Sequence, residues 1–180
     1  MSKKTLRKKL LNYRKKKFQI FKSQFSSLKI FKKKINLKRI KSVGAYYPIN
    51  CEIDCFEVLK NFEKMGCKIS LPVTKKKYDM DFYKWTFKDP LNIGNMGVPE
   101  PFKISRIYPD LILVPLVAFD KFKYRLGYGG GYYDRYIDKI SKIKKTITVG
   151  MGFSFQEVKK VPKKSYDKKL DFILTENYIK

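Results

Sequence analysis

A short apolar run that ends in an acid and leads into a glycine-rich loop constrains this chain more than any other stretch. Residues 109–120 are rich in Val, Ile and Leu, carry no charge between Asp110 and Asp120, and read as a strand buried on both faces. Four glycines, Gly127, Gly129, Gly130 and Gly131, then fall within five positions, and Tyr132, Tyr133, Tyr136 and Ile137 resume apolar residues at helical spacing. Strand, glycine loop and helix in that order place unpaired backbone N–H groups and the positive end of a helix dipole beside a loop without side chains, an arrangement that suits phosphate. A flexible turn is the plainer reading of any glycine run. Here the flanks favour the anion site: Arg125 enters the loop and Asp134 leaves it, adding an anion partner and a candidate Mg2+ ligand. No Gly-Lys-Ser/Thr ends the loop, and the third glycine of a Gly-x-Gly-x-x-Gly fingerprint is missing, which excludes the Walker A and dinucleotide motifs.

The chain contains no histidine. Ser-His-Asp and Cys-His chemistry is therefore excluded, and proton transfer falls to Asp, Glu, Lys or Tyr. Phosphoryl transfer tolerates this, because positioning and charge neutralisation contribute more there than proton shuttling. The formal charge of +26 would ordinarily suggest nucleic acid or an anionic membrane surface. Lys, Ile, Phe, Tyr and Asn are abundant together, however, which an AT-rich genome produces without selection for a polyanion, and no nucleic-acid motif is present. The compositional reading is favoured, and nucleic acid is not expected as a partner. Three cysteines without a Cys-x-x-Cys pair argue against both a disulfide framework and a zinc site. No apolar run approaches 18 residues, so no membrane span is expected. Together these point to a cytoplasmic, monomeric protein of one domain, residues 1–180, in which a basic N-terminal helical segment, residues 1–41, packs on an α/β core.

Within that segment Leu6, Leu10, Tyr13, Phe18, Phe21, Phe25 and Leu28 recur at three- to five-residue steps between lysines, predicting one or two amphipathic helices. Residues 42–48 read as a strand ending at Pro48, and residues 52–65 as a helix that stops at Gly66, with Ile53, Phe56, Leu59 and Phe62 on one face. Glu52 then falls in the first helical turn, where an acid complements the dipole. Residues 68–73 and 80–87 read as strands flanking a solvated turn, residues 89–101 as a loop, residues 146–153 as a strand in which Gly150 and Gly152 permit close approach, and the stretch before Glu176 as a last strand. Strands and helices that alternate in this way argue an α/β sheet covered on both faces, with its ligand at the carboxyl ends of the strands.

The runs Leu-Val-Pro-Leu-Val-Ala-Phe-Asp120 and Arg125-Leu-Gly-Tyr-Gly-Gly-Gly-Tyr-Tyr-Asp-Arg-Tyr136 closely resemble the signature of the 5-formyltetrahydrofolate cyclo-ligase family. The resemblance covers nearly the whole chain and implies a three-layer α/β/α sandwich with a mostly parallel central sheet. It implies ATP- and Mg2+-dependent cyclisation of 5-formyltetrahydrofolate to 5,10-methenyltetrahydrofolate. On that reading Arg125 is catalytic, and ATP is held by Leu126, Gly127, Tyr128, Gly129, Gly130, Gly131, Tyr132 and Tyr133. Lys3 and Arg7, in a family-like Lys-x-x-Leu-Arg, reach ATP as well. Tyr47, Glu52, Tyr128 and Tyr132 hold the folate, Glu52 by accepting hydrogen bonds from the pterin's 2-amino and N3 groups. Asp134 and Asp167 hold Mg2+, Asp167 fitting the family position better than Asp171. Three departures stand out: Phe122, Lys123 and Tyr124 replace a glycine turn, Cys55 stands for a threonine, and Tyr166 for a histidine. Two other readings remain open from the residues alone, a basic RNA-binding module built on the N-terminal helix and another nucleotide-dependent transferase on the same fold.

Overall fold

The structure is a computed structural model that describes residues 2–21, 31 and 34–180. Its centre is a seven-stranded sheet in the order β11-β10-β7-β1-β2-β3-β6. The strands are β1 (Ser42–Gly44), β2 (Lys68–Thr74), β3 (Met80–Lys84), β6 (Arg106–Ile107), β7 (Leu111–Pro115), β10 (Ile147–Met151) and β11 (Phe172–Leu174). Neighbours from β11 to β2 are parallel, and β3 and β6 add an antiparallel edge.

The alternation of β7 shows why the sheet is covered twice. Leu111 and Leu113 join a core under α2 (Phe56–Lys64), whose Val58, Leu59 and Phe62 are buried. Ile112 and Val114 point the other way, into a core under α3 (Tyr132–Ser141) with Tyr136 and Ile140. The expected three-layer α/β/α sandwich with a mostly parallel sheet is therefore present. Gly150 of β10 lies where an added Cβ would stand 2.7 Å from Leu170 Cδ1, so the sheet and its cover meet too closely there for any side chain.

Several boundaries differ from the sequence reading. The run 109–120 is not one strand: β7 ends at Pro115, and β8 (Ala118–Phe119) leaves the sheet to pair with β9 (Arg125–Leu126) in a separate hairpin. The departing Leu116 carbonyl is taken up by Arg14 Nη1 at 3.0 Å and Gln156 Nε2 at 3.3 Å. Helix α2 begins at Phe56 rather than Glu52, because Asp54 accepts from the Phe56 N–H at 2.8 Å and opens the helix there. It ends as expected: Gly66 has φ +82°, and the Cys67 N–H reaches Phe62 O at 3.0 Å in a Schellman closure. The loop of residues 89–101 contains a small hairpin, β4 (Asn92–Ile93) with β5 (Pro99–Glu100).

Helix α1 (Lys3–Phe21) packs its buried Leu6 and Leu10 against Val117, Ala118 and Leu126 of the β8–β9 hairpin. The next residue of that stripe, at the same four-residue step, is Arg14, 1% exposed, whereas Tyr13 is 42% exposed. The apolar face thus runs Leu6, Leu10, Arg14, and the expected place of Tyr13 is corrected. Phe25 and Leu28, read into the same pattern, lie outside the described residues, as does the side chain of Phe21.

Candidate functional site

The hairpin that leaves the sheet carries the glycine loop, and its turn is built by Asp120. That buried carboxylate accepts from Phe122 N at 2.9 Å, Tyr124 N at 3.1 Å and Val161 N at 2.9 Å. Lys123 takes φ +68°, so the turn that replaces the expected glycine turn holds a non-glycine residue in the left-handed region. After β9 the loop runs from Gly127 to Gly131. Gly129 has φ +112°, and Gly131, the N-cap of α3, has φ +68°. Among the described residues none of the five loop amides donates a hydrogen bond, and a Cβ at Gly127 would meet nothing within 4 Å.

Cations and carboxylates close on this loop from distant parts of the chain. Arg7 Nε donates to Gly127 O at 2.8 Å, and Lys3 Nζ pairs with Asp167 Oδ2 at 2.5 Å. Asp167 also accepts from Lys164 N at 2.6 Å. Arg125 is not an open cation at the mouth of the loop: its side chain is 5% exposed, with Nη2 3.1 Å from Asp134 Oδ1. Burial lowers its proton affinity, and the charge of Asp134 restores part of it. Asp134 Oδ1 further accepts from Lys168 N at 2.9 Å. Asp134 Oδ2 and Asp167 Oδ1 carry no hydrogen bond among the described residues. Asp171 lies elsewhere, its Oδ2 accepting from Thr148 N and Oγ1, both at 2.8 Å.

A second group gathers around Glu52. This carboxylate lies before α2, is 5% exposed and accepts from Ile49 N at 2.9 Å, so the first-turn dipole role is corrected. Burial raises its carboxyl to about 7, against the opposing pull of the Ile49 N–H, Arg14 and the Tyr128 hydroxyl. Tyr128 comes from the glycine loop. Burial first, then the Glu52 charge, push its hydroxyl up to about 12, and it receives a hydrogen bond from Arg14 Nη2. Burial, then Glu52, likewise raise the Tyr133 phenol, whose oxygen has no hydrogen-bond partner among the described residues. Cys55, the N-cap of α2, donates its thiol to Tyr46 O at 3.3 Å and makes no side-chain cap. Tyr47 packs edge-on to Phe56 at 5.4 Å, beside Trp85 and Phe87.

The structure gathers Tyr128 and Tyr133 with Glu52, and Lys3 and Arg7 with Arg125, Asp134 and Asp167; the glycine loop joins the two groups, and Tyr133, expected beside ATP, stands within electrostatic reach of both Glu52 and Arg125. Tyr132 turns toward the β4–β5 hairpin: its hydroxyl lies 3.8 Å from Met96 Sδ, and its ring packs on Tyr78 at 5.8 Å. That hairpin is fixed to β2 by Glu100, which accepts from Thr74 N at 2.8 Å and Thr74 Oγ1 at 2.6 Å. Arg14 is the residue that sequence reasoning missed. The signal was available, since a cation at the four-residue step after Leu6 and Leu10 sits on the buried stripe.

Comparison with known proteins adds an independent line. The profile of the 5-formyltetrahydrofolate cyclo-ligase family matches residues 1–176. The chain is similar to the 5-formyltetrahydrofolate cyclo-ligase of Haemophilus influenzae, 29% identical over 147 residues and 78% of each chain. It is also similar to the NMR structure of Aquifex aeolicus 5,10-methenyltetrahydrofolate synthetase, 32% identical with a TM-score of 0.73, covering 99% of this chain and 92% of that one. The Mycoplasma pneumoniae 5,10-methenyltetrahydrofolate synthetase shares the fold at 23% identity and a TM-score of 0.76, over 98% of this chain and 99% of its own.

Proposed function

The chain belongs to the 5-formyltetrahydrofolate cyclo-ligase family, and on that footing we propose that it cyclises 5-formyltetrahydrofolate to 5,10-methenyltetrahydrofolate while converting ATP to ADP and phosphate. The observation that carries this reading is the convergence of Lys3, Arg7, Arg125 and five loop amides without a partner among the described residues on a loop whose Tyr128 stands beside the buried Glu52.

The formyl group on N5 is amide-like, and its oxygen leaves poorly. Its attack on the γ-phosphorus of ATP forms a P–O bond as the bridging P–O bond breaks and ADP departs. N10 then attacks the activated carbon and gives its proton to solvent, and the C–O bond breaks to release phosphate. The loop amides and the open space beside Gly127 suit the phosphates. Arg7 braces the loop through the Gly127 carbonyl while adding positive charge. Asp134 Oδ2 and Asp167 Oδ1, which carry no hydrogen bond among the described residues, would hold Mg2+, which takes one or two carboxylates besides phosphate and water and would supply charge neutralisation there. Glu52 matches the paired donors of a pterin and fixes its orientation, so that N10 lies in line with the carbon it attacks.

The test is spectrophotometric. The purified chain should form the methenyl product from 5-formyltetrahydrofolate only when ATP and Mg2+ are both supplied, and product formed at equal rate without ATP overturns the reading.

A further inference from the structure

We propose that Arg14 is a positioning residue for substrate recognition, holding the folate-facing Glu52 ionised and in place through the Tyr128 hydroxyl. The proposal rests on the reading of Glu52 as the pterin's partner and extends it to a residue from a different element.

Arg14 stands in α1, 38 positions from Glu52 and 114 from Tyr128. The residue is 1% exposed, which a helix surface cation has no reason to be. Nη1 donates to Leu116 O at 3.0 Å, Nη2 donates to the Tyr128 hydroxyl, and the guanidinium carbon lies 5.8 Å from the Tyr128 ring centre. Nε is buried without a partner among the described residues. A cation buried with one donor unused is costly unless a negative charge stands close by. No acid forms an ion pair with it among the described residues. Glu52 is a carboxylate within its electrostatic reach.

The groups that face Glu52 come from every element around it. Tyr46 lies beyond β1, Cys55 at the start of α2, Tyr128 on the loop, Tyr133 on α3 and Arg14 on α1. Four of these five are phenols or a thiol, and Arg14 is the one cation. Burial favours protonated Glu52, and a protonated carboxyl offers the pterin one acceptor oxygen fewer. Arg14 opposes that tendency from a fixed place, because Leu116 O anchors its other arm.

The experiment measures the folate KM and the ATP KM of the full chain from pH 5.5 to 9, for wild type, Arg14→Met and Arg14→Lys. In the wild type the folate KM should rise about tenfold per pH unit below a turning point near 7. Arg14→Met should move that turning point to higher pH, raising the folate KM at pH 7.5 tenfold or more while the ATP KM stays within about twofold. Arg14→Lys, which keeps the charge but cannot hold Leu116 O and Tyr128 at once, should give a turning point between those of the wild type and Arg14→Met. A merely structural arginine would weaken both ligands alike and leave the turning point where it was, and that result overturns the proposal. If Arg14→Met fails to fold, Tyr128→Phe cuts the link while leaving the cation, and an unshifted turning point in that variant overturns it equally. A wild type that binds the folate without turning it over removes the functional reading alone; the same comparison is then read as a dissociation constant from the fluorescence of Trp85. No folate binding by the wild type at any pH overturns this proposal too.

Discussion

Arg125 Nη2 stands 3.1 Å from Asp134 Oδ1, so the cation at the entrance of the glycine loop and the acid at its exit are engaged with one another. Neither is spare. A phosphate that recruits Arg125, or a cation that recruits Asp134, must share or replace that contact.

Arg125→Ala should therefore lower turnover at saturating ATP by about 100-fold, on the order of 3 kcal/mol of transition-state stabilisation. Asp134→Asn should show a loss of similar size. Because the two side chains act as a pair, the double variant should lose less than the product of the single losses. Fully multiplicative losses in a double-mutant cycle would mean that the pair is not coupled in the reaction.

Glu52→Gln should raise the folate KM while the ATP KM stays nearly unchanged. It should also change how stability depends on pH. Burial raises the Glu52 carboxyl from 4.5 to about 7, so the folded state holds the proton more tightly than the unfolded chain. The stability linked to it is fully present below about 4.5 and lost as pH rises through about 7, up to roughly 3 kcal/mol in total. Urea unfolding at pH 5 and pH 8 should show wild type losing more stability over that interval than Glu52→Gln. Equal slopes would contradict the burial of this carboxyl.

Lys123 at φ +68° predicts a backbone test. Lys123→Gly should leave stability unchanged or raise it by up to about 1 kcal/mol, the relief of left-handed strain being offset by chain entropy and by loss of the 2.6 Å bond from Lys123 Nζ to Asp171 O. Lys123→Val should cost about 2 kcal/mol, since a β-branched residue fits that conformation worst. Thermal melts that fail to separate Gly from Val would show that the turn rearranges.

The formal charge of +26 should act on encounter more than on chemistry. Salt screens exposed charge over roughly 8 Å at physiological ionic strength, so kcat/KM for ATP and for polyglutamylated folate should fall with added salt while kcat hardly moves. A steep salt-dependent affinity for RNA would point instead to a nucleic-acid function of the basic N-terminal segment.

Much of the fold was legible because local chemistry and tertiary demand agree. The β7 run is apolar on both faces since both are covered, and Gly66 ends α2 as a left-handed cap must. The β8–β9 hairpin was not legible: residues 116–119 are as apolar as the strand before them, and only the side chains that cap the Leu116 carbonyl show the chain turning away. Asp81 was equally silent. Its burial depends on Lys75, six residues earlier in the turn before its strand, and on Arg106 and Lys139, which arrive from distant segments. At the site, resemblance supplied residue types and positions, but the Arg125–Asp134 pairing and the turn of Tyr132 toward Met96 are facts of packing. Arg14 was missed for the opposite reason, because its cationic character masked a position that the period of the helix had already assigned to the interior.

The contact from Arg7 to Gly127 spans 120 positions, and that from Lys3 to Asp167 spans 164. Closures of that length cost the most chain entropy and tend to form after the local and sheet contacts are in place. The end of the site built by Lys3, Arg7, Gly127 and Asp167 should therefore be assembled late on the folding path. Strengthening it should slow unfolding and leave the speed of folding nearly unaltered. The substrates would then govern how long a finished molecule lasts rather than how quickly it is made.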